Sequence, residues 1–182
     1  MKKLFALAIV AFFTSSSFAQ EKTVEVGGAP MFPSKNIVEN AVNSKDHTTL
    51  VAAVKAAGLV ETLQGAGPFT VFAPVNSAFD MLPAGTVENL LKPENKPGLT
   101  TVLTYHVVAG KYNATDIAKL IKAGKGKAEL KTVAGGKLWA MMKGKKIMLK
   151  DEKGGVATVT IKDVNQSNGV IHVIDRVLLP NM

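Results

Sequence analysis

Three histidines, no cysteine and 14 carboxylates limit the chemistry open to this 182-residue chain. His106 follows Tyr105 and precedes Val107 and Val108, His172 alternates with Val170 and Ile174, and His47 stands beside Asp46. Without cysteine, thiol catalysis, iron–sulfur clusters and thiolate zinc sites are excluded. No two histidines have the i, i+4 or i, i+2 spacing that makes a metal site easy to assemble, so neither a metal nor a metal cofactor is expected. Ser77, His106 and Asp175 could form a hydrolytic triad only if the fold gathered them. Ser77 lacks the G-x-S-x-G setting of a nucleophile elbow, and no catalytic residue is expected. His106, at a helix-to-strand junction, reads as a buried residue bonded to backbone, His172 as core-lining, and His47 as an exposed helix-end residue. Asp163 and Asp175 alternate with apolar residues near strand ends, where a carboxylate accepts turn N–H groups or pairs with Lys162 or Arg176.

Charge points elsewhere. The formal net charge is +8, and residues 122–150 hold nine lysines against one acid, Glu129. Such a segment is either a solvated, solubilising face or a patch that attracts an anionic polymer or membrane surface. Nucleic acid is not expected as a partner, because the chain has a single arginine, Arg176, and base readout and phosphate forks favour arginine. Inside the basic segment lies the chain's one tryptophan, Trp139, with Met141, Met142 and Met148 around it. On a hairpin Trp139 and Met141 share one face, while Leu138, Ala140 and Met142 share the other. Apolar residues on both faces read first as packing. If one face is open, Trp139 and Met141 with Lys143, Lys145 and Lys146 form the best candidate partner surface.

The elements that must position these groups can be read from periodicity. Residues 1–19 run from Lys2-Lys3 through an apolar stretch to Ser17-Phe18-Ala19, the order of a secretory signal peptide cleaved after Ala19. Its apolar stretch is shorter than the ~20 residues a bilayer span requires. An exported protein, periplasmic or extracellular, is therefore expected. Residues 20–35, with two prolines and a diglycine, read as an extended arm, and residues 36–182 as the folded domain. Asn36 or Ser34 starts a first helix, and Asp46 caps a second that Gly58 terminates. In TVFAPVNSAF the run Phe69–Ala73 reads as an internal strand with Thr70 and Phe72 on one face. Pro74 ends it, Asn76 caps the following helix, and Phe79 buries that helix. Thr86 caps another short helix, and Asn113 or Thr115 a later one. From Leu130 the texture is all β, with turns at Lys143-Gly144-Lys145, Gly154-Gly155 and Ser167-Asn168-Gly169. Helices first and a hairpin-connected sheet second give an α+β domain.

FTVFAPVNSAF, LTYHVVAG at 103–110 and NGVIHVIDRVLLP at 168–180 resemble the three signature segments of the fasciclin domain, in that family's order and spacing. The family usually has threonine where Val75 stands. The resemblance implies a β-wedge of antiparallel strands with a bundle of short helices. It makes Thr70, Phe72, Pro74, Asn76, Phe79, Gly169, His172 and Asp175 structural motif residues. It further implies an exported, noncatalytic adhesion or binding module with no cofactor, whose partner is a cell-surface or matrix protein; the lysine-rich segment adds an anionic polysaccharide or a peripheral membrane contact as the expected partner. Matrix proteins carrying this domain use a tyrosine–histidine motif in cell attachment, and Tyr105, His106, Val107 and Val108 are the matching positions. A small-ligand or cofactor carrier with an apolar cleft lined by methionine and histidine is the alternative.

Overall fold

The computed structural model describes residues 21–181, so the signal-peptide reading of residues 1–19 lies outside the described residues. Seven strands form one sheet in the order β4-β3-β9-β8-β7-β6-β5: β3 Phe69–Pro74, β4 Val107–Ala109, β5 Lys127–Lys131, β6 Lys137–Lys143, β7 Lys146–Lys150, β8 Val156–Gln166 and β9 Gly169–Ile174. A bridge between Val108 and Thr132 brings the two ends of this sheet together, so it is nearly closed. Neighbouring strands run antiparallel except β3 and β9, which pair in parallel from Phe69↔Gly169 to Pro74↔Ile174. Gly169 is needed there, because a Cβ at that position would run into the Phe69 carbonyl.

Inside the wedge, Phe72, Tyr105, Leu138, Leu149, Ile174 and Leu178 are all fully buried. Helix α7 (Ala114–Ala123) closes this core with Ile117 and Ile121. The expected two-sided burial of β3 is observed: Phe72 enters the inner core, while Val71 and Ala73 join a second cluster with Val26, Met31, Ile37 and Ile171. Helices α1 (Ile37–Ala41), α2 (Thr48–Ala57), α3 (Val60–Gln64), α4 (Asn76–Asp80), α5 (Thr86–Leu90) and α6 (Lys96–Tyr105) pack outside the sheet.

Three local expectations differ from the structure. Part of the expected extended arm folds into a hairpin, β1 (Val24–Val26) and β2 (Ala29–Met31), which buries Val26 and Met31. Gly27 and Gly28 both take positive φ, the requirement of a tight two-residue hairpin turn. Asp46 and Thr86 do not cap their helices, and Asn76 does not cap its own. Asn76 instead accepts from the Thr49 N–H at 3.1 Å in the first turn of α2 and donates to the Lys45 carbonyl at 2.8 Å. It caps a neighbouring helix across 27 residues of chain. Asn76→Ala should therefore lower stability by about 1 kcal/mol through the lost cap, read as a smaller urea midpoint at unchanged slope. The third difference is His47, expected exposed but buried at 3 % exposure with Nδ1 2.9 Å from the Ser44 hydroxyl.

Candidate binding face

The Tyr105-His106-Val107-Val108 segment does not form a surface. Its residues are 0, 3, 6 and 3 % exposed, and each is committed to the scaffold. The Tyr105 hydroxyl donates to the Lys137 carbonyl at 2.6 Å and accepts from the Glu152 N–H at 3.1 Å. Burial pushes that phenol up to about 12. His106 Nδ1 lies 2.8 Å from the Val102 carbonyl, and Nε2 accepts from the Leu178 N–H at 2.9 Å. This arrangement places the ring proton on Nδ1 and ties the chain end to α6. Val107 and Val108 sit in the two opposite cores. The reading of these four residues as a partner surface is corrected: strand pairing and core packing consume both faces of β4.

The Ser77, His106 and Asp175 arrangement rejected from the sequence has no free histidine or aspartate to build on. Both His106 nitrogens are engaged by backbone, and Asp175 accepts from the Thr158 N–H at 2.7 Å. Asp163, at a positive-φ bulge in β8, accepts from the Ala114 N–H at 2.6 Å and so serves the first turn of α7. His172 is fully buried, with Nε2 2.8 Å from the Tyr112 carbonyl and its ring stacked on Phe72 at 5.8 Å. Thr70 donates to the Gly110 carbonyl at 2.7 Å and accepts from the Tyr112 N–H at 2.9 Å. Phe79 packs with Ala78, Val102 and Val177, and Pro74 is the last β3 residue paired to β9. Asn168, read as a turn residue, is a hub: it accepts from the Ile37 N–H at 3.0 Å and donates to the Leu63 and Gly65 carbonyls. Nothing local to Ser167-Asn168-Gly169 signals partners more than a hundred residues away.

The other expected surface has a different fate. Along β5, β6 and β7 alternate residues Leu130, Leu138, Ala140, Ile147 and Leu149 are buried in the wedge. The opposite face is open. It carries Trp139, Met141 and Met148, all half-buried, within the exposed lysines 127, 131, 137, 143, 146 and 150. Lys145 is exposed in the turn at one end of the ribbon. Cross-strand register sets Met141 against Met148, and Trp139 against Glu129 on one side and Lys150 on the other. The same register sets Lys131 opposite Lys137 and Lys143 opposite Lys146. Like charges directly opposite on adjacent strands are destabilising. Glu129, 3.0 Å from Lys137, is the acid of the face. Lys127 Nζ lies 4.7 Å from the Trp139 ring centroid. The period-two rhythm of KAELK, KLWAMMK and KIMLK was the readable signal that the flanking lysines 127, 131, 137 and 150 belong to this face.

A nearly closed β-wedge, helices packed outside it and a lysine-rich open ribbon define a small α+β domain. The chain belongs to the fasciclin domain family, whose model matches residues 45–180. A Synechocystis protein, sll1483, is 47% identical over 178 residues, covering 98% of this chain and 92% of its own length. The immunogenic protein MPB70 of Mycobacterium bovis is 35% identical over 145 residues, 77% of this chain and 66% of that protein. Human periostin is 32% identical over 136 residues, 75% of this chain but 15% of periostin. Among solved structures, a FAS1 domain pair from the insect cell adhesion molecule fasciclin I aligns with a TM-score of 0.72 at 18% identity, over 81% of this chain and 52% of that one. Among the described residues no helix is long and apolar enough to cross a membrane.

Proposed function

We propose that this protein is an exported, noncatalytic adhesion module that holds an anionic polymer of the cell envelope, matrix or biofilm through the lysine-rich ribbon of β5, β6 and β7. The observation that carries this reading is the lysine placement: two pairs of like charges face each other across strands around a half-buried apolar row. That register opposes folding, offset at Lys137 by Glu129 but not at Lys143 and Lys146, and a bound polyanion relieves it. A solved structure of the same fold comes from an insect cell adhesion molecule.

Retention on immobilised polygalacturonate tests the reading. The protein should bind at low salt and elute before about 1 M, where the screening length falls to ~3 Å. Lys143→Gln, Lys145→Gln and Lys146→Gln combined should shift elution to lower salt and, by removing the Lys143–Lys146 repulsion, should not lower the melting temperature. Retention unchanged by the triple substitution would exclude the ribbon, and preferential retention on a matrix protein would replace the polymer.

A second reading, a small-ligand carrier, is favoured by one feature. An apolar cavity of about 90 Å³ lies between the helices and the sheet, lined among others by Met31, His47, Leu50, Val54, Leu63 and Val71. Mass spectrometry of an organic extract of the purified protein should return a stoichiometric compound if that reading holds, and none if it fails.

A further inference from the structure

The ribbon's charges and its one aromatic ring are not independent features. Lys127 stands opposite Met141 in β6, and its ammonium reaches diagonally over the Trp139 ring, 4.7 Å from the centroid. A carboxylate that draws the Lys127 ammonium off the ring holds the ion pair at the rim and uncovers the indole for an apolar sugar face. Met141 and Met148, paired across β6 and β7, extend the apolar shelf beside it. The ends of the shelf are marked by Lys131 opposite Lys137 and by Lys143 opposite Lys146. These ends are separated by six residues of strand, roughly 20 Å at ~3.4 Å per residue.

We infer that Lys127 and Trp139 form a subsite for a uronate sugar, the carboxylate paired to the ammonium and the pyranose face laid on the indole, within an acidic polysaccharide that runs along β6 between the two lysine pairs. This rests on the reading of the ribbon as a polyanion-binding face and names its ligand. A bare polyanion satisfies the lysines alone. A sugar chain also uses the ring, since the C–H face of a pyranose is apolar and an indole face attracts it. A flat lipid surface is a poorer match, because Trp139, Met141 and Met148 are half-buried between lysines, and the exposed Met142 lies on the opposite face of β6.

The test compares polygalacturonate with polyphosphate, two polyanions of which one presents sugar rings, by titration calorimetry at fixed low salt on the full folded protein. Trp139→Ala should weaken polygalacturonate about tenfold, equivalent to ~1.4 kcal/mol, and leave polyphosphate within about twofold. Trp139→Phe should restore most of the loss, and Lys127→Gln should weaken both polymers. An equal effect of Trp139→Ala on both, or no effect on either, would overturn the sugar subsite while leaving polyanion binding in place. Failure of the wild-type protein to bind either polymer would overturn the ribbon reading and the subsite with it. Tighter binding to anionic phospholipid vesicles than to polygalacturonate would assign the face to a membrane and overturn the subsite too.

Discussion

Phe72→Ala should lower stability by about 3–5 kcal/mol, a large share of what a domain of this size possesses. The ring is fully buried at the centre of the wedge, stacked on His172 and enclosed with Tyr105, Leu138 and Ile174. Close strand pairing on both edges of β3 keeps the backbone from collapsing into the space left behind. In a calorimeter this corresponds to a fall in Tm of about 6–20 °C. A melting curve within a degree or two of wild type would mean that β3 does not lie between β4 and β9.

The second large effect is acid sensitivity above the pH where carboxylates titrate. Burial lowers His106 to about 4, with its bond to the Val102 carbonyl and the Asp151 charge opposing that fall only in part. Burial also lowers His47 and His172, against weaker opposition from backbone and from Asp46 and Asp163. In the unfolded chain each imidazole takes up a proton near 6.5. Between those limits the unfolded state binds more protons than the folded one, so stability rises with pH, is complete above about 6.5 and is lost as pH falls toward 4. His106 alone accounts for ~2 kcal/mol lost between pH 7 and pH 5 and ~3 kcal/mol by pH 4. Urea midpoints measured across this range should show that slope, and His106→Gln should flatten it. A wild-type midpoint constant from pH 7 to pH 5 would show that the imidazole is not enclosed.

Much of the architecture was legible because it is local. Period-two alternation in KLWAMMK and KIMLK, and the glycines between strands, placed the hairpins of the sheet without tertiary information. The capping box at Asn36, one of the two residues read as starting that helix, is likewise written in adjacent residues. What could not be read depends on contacts made across the chain. Asn76 has the right chemistry for a cap, but the helix it serves is α2, delivered by the fold. Asp163 acts on α7 in the same way from a bulge in β8. The Gly27-Gly28 pair was a genuine hairpin signal, masked because its strands are three residues long and one contains Pro30. The tyrosine–histidine segment was expected on a partner surface from the family resemblance, yet its position between two cores removes it from solvent. The outward ribbon was foreseeable only as a choice between packing and display. The choice fell on display because the wedge core is filled from the other face of the same strands.

Trp139 is the chain's sole tryptophan, so its emission reports on the ribbon and on nothing else. Titrating the protein with polygalacturonate at low salt should give a saturable change in that emission, reversed by salt and displaced to higher polymer concentration by the Lys143, Lys145 and Lys146 substitutions. Polymer retention with Trp139 emission unaltered throughout would place the bound chain on another surface and contradict the account.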